Sequence, residues 1–214
     1  MSVNEEVQKD DSVTQLADGS VVAKDEDHIM AVGDIDELNA YIGLIERKFL
    51  DSALGMQGEK FFKYSKILRD IENSLFIIGG LFSYKSIRFF CDKLPKLSQK
   101  AINELQNNMK EMNEELPPID GFLVPAGREI SCVINVARTV CRRAERSSVA
   151  LRAFRNKLSY TAFTTEREAY LSSSQIKLAI SYLNVLSQWL FVFSRFNNIG
   201  YEVKGGISPE QTGV

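Results

Sequence analysis

Five stretches of this chain place apolar residues alternately three and four positions apart, and this spacing limits the fold more than anything else in the sequence. They are Ile35-Leu38-Ile42-Ile45-Phe49, Tyr64-Leu68-Ile71-Leu75-Ile78-Phe82, Ile102-Leu105-Met109-Met112-Leu116, Ile130-Val133-Ala137-Val140-Ala144-Leu151 and Ile176-Ile180-Leu183-Leu190-Ser194. A three-four alternation keeps one stripe of a helix apolar, and that stripe must be buried against another helix. The predicted fold is therefore all-α, a five-helix up-and-down bundle of ferritin-like type. The expected helices start at Asp34, where Asp34 and Glu37 resemble a capping pair, near Glu59, after Ser98, after Pro125-Ala126-Gly127 and near Glu166. Pro117-Pro118 stop the third, and the fourth is expected to run to about Phe154. Residues 1–33 read as an N-terminal arm, 34–200 as the bundle domain and 201–214 as a Gly-rich, frayed tail.

With 214 residues, one domain with a sizeable core is expected. A net charge of −2 gives no general attraction to nucleic acid or to an anionic membrane, so neither is expected as a partner and any basic site must be local. No run of about 18 apolar residues is seen, so no membrane-spanning helix is expected. The acidic, polar start, MSVNEEVQKDD, suits a cytoplasmic protein. Cys91, Cys132 and Cys141 have no CxxC spacing and His28 is the one histidine, so neither a zinc site nor a His-based nucleophile triad is expected.

The chemistry concentrates in ARTVCRRAER, Ala137 to Arg146. Arg138, Arg142 and Arg146 recur every fourth residue and form a ladder on one helix face, with Arg143 one position round. Like charges at this spacing repel, so the ladder needs acids or a bound anion opposite it. Guanidinium forks suit carboxylates and phosphates equally, so ion pairing with neighbouring acids, among them Asp36 and Glu37, and a phosphate site both remain open. A second segment, YLNVLSQWLFVFSR (Tyr182 to Arg195), carries Asn184 on an otherwise apolar helix, where an amide can read an adenine or cap a network. Its Trp189, Phe191 and Phe193 could wall a flat apolar cofactor or simply pack the core. The third segment is GFLVPAGRE, Gly121 to Glu129, an apolar approach to a Pro-x-Gly turn that opens a helix.

In this order the segments, with IDELN at Ile35–Asn39, resemble the PduO-type ATP:cob(I)alamin (corrinoid) adenosyltransferases. ILRDIENSLFIIGGLFS and AKDED also resemble family segments, so the likeness spans about residues 23–196. The resemblance implies a five-helix bundle that assembles as a homotrimer with active sites between subunits. It implies transfer of the 5′-deoxyadenosyl group of ATP, accompanied by Mg²⁺, to the cobalt(I) of cobalamin, with triphosphate leaving. By position it implies that Lys24, Arg142, Arg143, Glu145, Arg146 and Asn184 bind ATP, and that Phe122 and Phe191 lie on the corrinoid side. Arg142 and Phe122 would be catalytic, and Asp36 and Arg138 would form a salt bridge between subunits. No metal ligand among the protein side chains is implied.

The chain departs from the pattern where the family has a TKTGDxGTT loop around the triphosphate. Here Glu6 to Thr14 reads EVQKDDSVT, without glycine and with Glu6, Asp10 and Asp11 set against phosphate. The turn is PAG where PGG is expected, Asn135 stands where histidine is common, Gln188-Trp189 replaces an acid-aromatic pair, and 147–180 is longer than usual. A working adenosyltransferase is the favoured expectation. A catalytically impaired member that binds nucleotide or corrinoid, or acts as a scaffold, is the alternative.

Overall fold

The computed structural model describes the backbone of residues 11–52, 58–84, 95–119, 121–162 and 166–205, and the side chains of these except 52 and 154–173. Glu6, Lys9, Asp10 and Cys91 lie outside the described residues. Five helices carry the fold: α1 (Asp27–Ser52), α2 (Glu59–Phe82), α3 (Gln99–Glu115), α4 (Glu129–Ala162) and α5 (Glu166–Phe196). Their directions alternate. Lys60 Nζ meets Glu115 at 2.8 Å and Lys63 Nζ meets Glu111 at 2.5 Å, so α2 and α3 run antiparallel. Lys48 Nζ meets Glu129 while Arg143 meets Asp34, so α1 and α4 run antiparallel too. Ser131 Oγ donates to the Ser194 carbonyl and the Cys141 thiol to the Leu183 carbonyl, which sets α4 against α5. The expected up-and-down bundle is present.

The seams read from the sequence are the core. Ile35, Leu38, Ile42 and Ile45 of α1, Leu68, Ile71, Leu75, Ile78 and Phe82 of α2, and Ala137 and Ala144 of α4 are all buried. The α5 helix lies between α3 and α4 and is covered on most of its circumference, so Tyr182, Leu183, Leu186, Trp189, Leu190 and Phe193 are almost fully buried. This burial explains one departure from expectation. Ser174–Phe196 is long and apolar enough to cross a membrane by length and composition, yet 61% of its most apolar window is inside the bundle. A helix enclosed by other helices has the composition of a membrane span for the same reason, an apolar surround.

The first helix begins at Asp27, ahead of the expected Asp34. The Glu26 carbonyl already accepts from the Ile29 and Met30 amides, and buried His28 and Ala31 extend the three-four seam backwards from Ile35. A histidine and an alanine carry too little apolar signal for that extension to be read from sequence, and Gly33 inside the helix argues against it.

Two short antiparallel ladders flank the helices. β1 (Val13–Gln15) pairs with β2 (Val21–Ala23) across a turn at Gly19, and the Ala17 amide donates to the Ser83 carbonyl, docking this hairpin on the end of α2. β3 (Phe122–Val124) pairs with β4 (Val203–Gly205), Phe122 opposite Gly205 and Val124 opposite Val203. The start of the expected frayed tail is thus a strand. Its Gly-rich composition hid the pairing, because three residues of ladder leave almost no alternating pattern.

Candidate functional site

The α4 register divides the arginines between two faces. Arg138 and Arg142 turn into a cleft of about 820 Å³ whose floor is Ser187, Gln188, Phe191 and Val192 of α5. The far wall is α3, presenting Asn103, Gln106, Asn107, Met109, Lys110 and Asn113. Three cations line this cleft and no carboxylate does. Among the described residues no acid pairs with the Arg142 guanidinium, so the ladder's demand for an anion is unmet on this side.

Arg143 faces the other way. Its Nε donates to Asp34 Oδ1 at 2.9 Å and an Nη donates to Glu37, while Ser147 Oγ also donates to Asp34. The hydrogen bond to Asp34 comes first among the causes that raise the guanidinium pKa further, followed by the attraction of Asp34 and Glu37. The motif is therefore divided: Arg143 has its acid pair, and Arg142 lines a cleft without one. Arg143→Ala should cost about 1–2 kcal/mol of stability, since it strips a charged partner from Asp34 and Glu37. The check is chemical denaturation, and a loss below about 0.3 kcal/mol would mean that these bonds contribute nothing net.

Beside the cleft, Asn184 Nδ2 donates to Glu145 Oε1 at 3.0 Å, and its Oδ1 accepts from Gln188 Nε2 at 2.9 Å. Glu145 and Asn184, on different helices, are thus brought together, and the amide's orientation is fixed at both ends. Arg146 curls back to donate to the Arg142 carbonyl at 3.2 Å. Trp189 and Phe193, considered as walls for a cofactor, are core: neither is exposed, and their rings stack at 4.5 Å. Phe191 alone of the three lines the cleft.

Phe122, on β3, has 89% of its surface exposed. A smaller hollow bounded by Val124, Pro125, Asn135, Arg138 and Phe191 joins that hairpin to the main cleft. Lys24 is exposed just before α1, at the end of the bundle towards which Arg146 lies. Asp36 is exposed on α1, and within the chain Arg138 Nε donates to Asn135 Oδ1 at 3.4 Å, not to Asp36. The α3 wall was absent from the sequence-derived site. Its signal was available in NELQNNMKEMN, where Asn103, Gln106 and Asn113 fall on the cleft side of the seam and Glu104 and Glu111 fall towards α2.

Among the described residues no group of three or more His, Cys, Asp or Glu side chains is placed to hold a metal ion.

Comparison with known proteins bears on what fills the cleft. Residues 7–197 match the family model for cobalamin adenosyltransferase. The chain is 33% identical over 198 residues to the corrinoid adenosyltransferase of Mycobacterium leprae, covering 91% of this chain and 90% of that one. It is 29% identical over 181 residues to the corrinoid adenosyltransferase of Bacillus subtilis, covering 84% and 79%. Its fold is similar to that of a variant PduO-type ATP:corrinoid adenosyltransferase from Lactobacillus reuteri complexed with cobalamin and ATP, with a TM-score of 0.64, 20% identity, and coverage of 91% and 92%.

Proposed function

The chain belongs to the cobalamin adenosyltransferase family, and from that premise we propose that it transfers the 5′-deoxyadenosyl group of ATP to the cobalt(I) of a reduced corrinoid, releasing triphosphate. It is a transferase whose substrates are ATP and cobalamin. The observation that carries the reading is the cleft where Arg142 and Lys110 meet Phe191 with no acid among the lining residues. Such a cleft suits a polyanion next to a flat apolar ring.

The cobalt supplies the nucleophile, so the protein's work is to position, to exclude water and to neutralise charge on the leaving triphosphate. Arg142 and Arg146 would hold the triphosphate and its Mg²⁺, with Lys24 as a further phosphate contact. Arg143, its fork engaged by α1, would act through charge. The Glu145–Asn184 pair would read the adenosine. Phe191 and Phe122 would flank the corrinoid. Asp36 and Arg138, unpaired with each other inside the chain, would pair across subunits in a homotrimer.

The test supplies the purified protein with MgATP and chemically reduced cob(I)alamin and follows formation of light-sensitive adenosylcobalamin by absorbance and chromatography. Product that depends on both substrates is expected. Absence of product, with a related enzyme active in parallel, would sink the reading. Mass photometry of the same sample is expected to show a trimer, and a monomer would remove the Asp36–Arg138 pairing.

A further inference from the structure

The position of Phe122 is set by backbone, because its exposed ring has almost no packing within its own chain. Among the described residues the one strand beside it is β4. The turn that follows β3 is fixed by a single side chain from beyond α5. Asn198 is 5% exposed, its Oδ1 accepts from the Arg128 amide at 2.9 Å, and its Nδ2 donates to the Ala126 carbonyl at 2.9 Å and to the Tyr201 carbonyl at 3.3 Å. One buried amide thus ties both sides of the 125–128 turn to the loop that leads into β4.

The turn is shaped around that amide. Gly127 has φ of +109°, and a Cβ there would collide with the Asn198 side chain, so this position requires glycine twice over. Arg195, 6% exposed, reinforces the same junction: Nε donates to Glu202 at 3.0 Å and Nη2 to the Pro117 carbonyl at 2.7 Å. Arg128 lies 4.5 Å over the Tyr201 ring. These contacts join the segment before Phe122, the turn after it and the approach to β4. None of them belongs to the seams that hold the bundle together.

We infer that Asn198 is a positioning residue for adenosyl transfer, which holds the 125–128 turn and β3 so that Phe122 presents its ring to the corrinoid. The inference rests on the adenosyltransferase reading. It assigns to the segment after α5 a part in the reaction, exerted on the corrinoid side and not on ATP.

The experiment compares Asn198→Ala, Phe122→Ala and the double variant in the full chain, varying cob(I)alamin and MgATP in turn. Asn198→Ala is expected to lower kcat by about 10- to 100-fold, the scale of a small misplacement at a reacting centre. The corrinoid KM should rise while the ATP KM stays within about 2-fold, which separates this effect from general loss of structure. The double variant should be no worse than Phe122→Ala alone, because Asn198 acts through Phe122. Full additivity of the two losses, or a kcat and corrinoid KM within about 2-fold of wild type, would overturn the proposal.

If Asn198→Ala does not fold, Gly127→Ala displaces the same amide without deleting it and is put through the same comparison. If the wild type forms no adenosylcobalamin, the transferase reading fails while the positioning claim is still decided by titrating cob(II)alamin and following its absorbance. Affinity that falls with Phe122→Ala and with Asn198→Ala, but no further in the double variant, supports the claim. Affinity indifferent to Asn198→Ala overturns it.

Discussion

Arg142→Ala is expected to lower adenosyl transfer by about 100- to 1000-fold, the cost of removing one preorganised charge from a site where negative charge develops. The fold should survive the change. Arg142 is exposed on the cleft wall and among the described residues no acid pairs with its guanidinium, so its removal leaves no such partner stranded. The helical circular dichroism and melting temperature should stay near those of wild type, and the loss should appear in kcat and in MgATP affinity measured by calorimetry. Arg142→Lys should recover only part of the activity, because an ammonium keeps the charge but not the two-pronged geometry. Turnover within about 3-fold of wild type would remove Arg142 from the mechanism, and with it the argument from the acid-free cleft. Arg143→Ala makes the contrast: its main effect should be on stability, because its fork is already held by Asp34 and Glu37.

The largest effect on folding is expected from Trp189→Ala. The indole is fully buried, stacks on Phe193 at 4.5 Å and donates from Nε1 to Asn108 Oδ1 at 2.8 Å. Removing it leaves a cavity at the junction of α3 and α5 and deprives a buried amide oxygen of its donor. Truncation of a buried tryptophan costs about 3–5 kcal/mol, and the orphaned acceptor adds about 1 kcal/mol or more. Against a total stability of about 5–15 kcal/mol, this would bring the chain close to unfolding at physiological temperature. Urea denaturation should show the midpoint falling sharply with an unchanged slope. A loss under about 1 kcal/mol would mean that the α3–α5 contact is looser than the structure shows.

These two residues mark how far the sequence could be read. The three-four spacing located all five helices, because a buried stripe is written in apolar residues and needs no knowledge of its partner. The same spacing could not tell Trp189 and Phe193 from Phe191, although two are core and one lines a cleft. Which arc of α5 is covered depends on where α3 and α4 settle, and that is a property of the assembled bundle. The arginine ladder was legible as a demand for anions, but its division was not. Arg143 meets Asp34 only because α1 begins at Asp27 and runs antiparallel to α4. The β3–β4 pairing was the least visible feature, since three-residue strands in Gly-rich surroundings carry no period. Asn198, which holds the turn beside them, sits in a stretch whose composition reads as loop.

The pairing of β3 with β4 also makes one wall of the molecule depend on a distant part of the chain. The five described helices end by residue 196, and every residue that lines the arginine cleft lies before that point. The strand that carries Phe122 instead takes its neighbour from residues 203–205, about 80 positions further along the chain. A protease that cuts between residues 196 and 203 would leave the arginine-lined cleft in place and the strand of Phe122 without its partner.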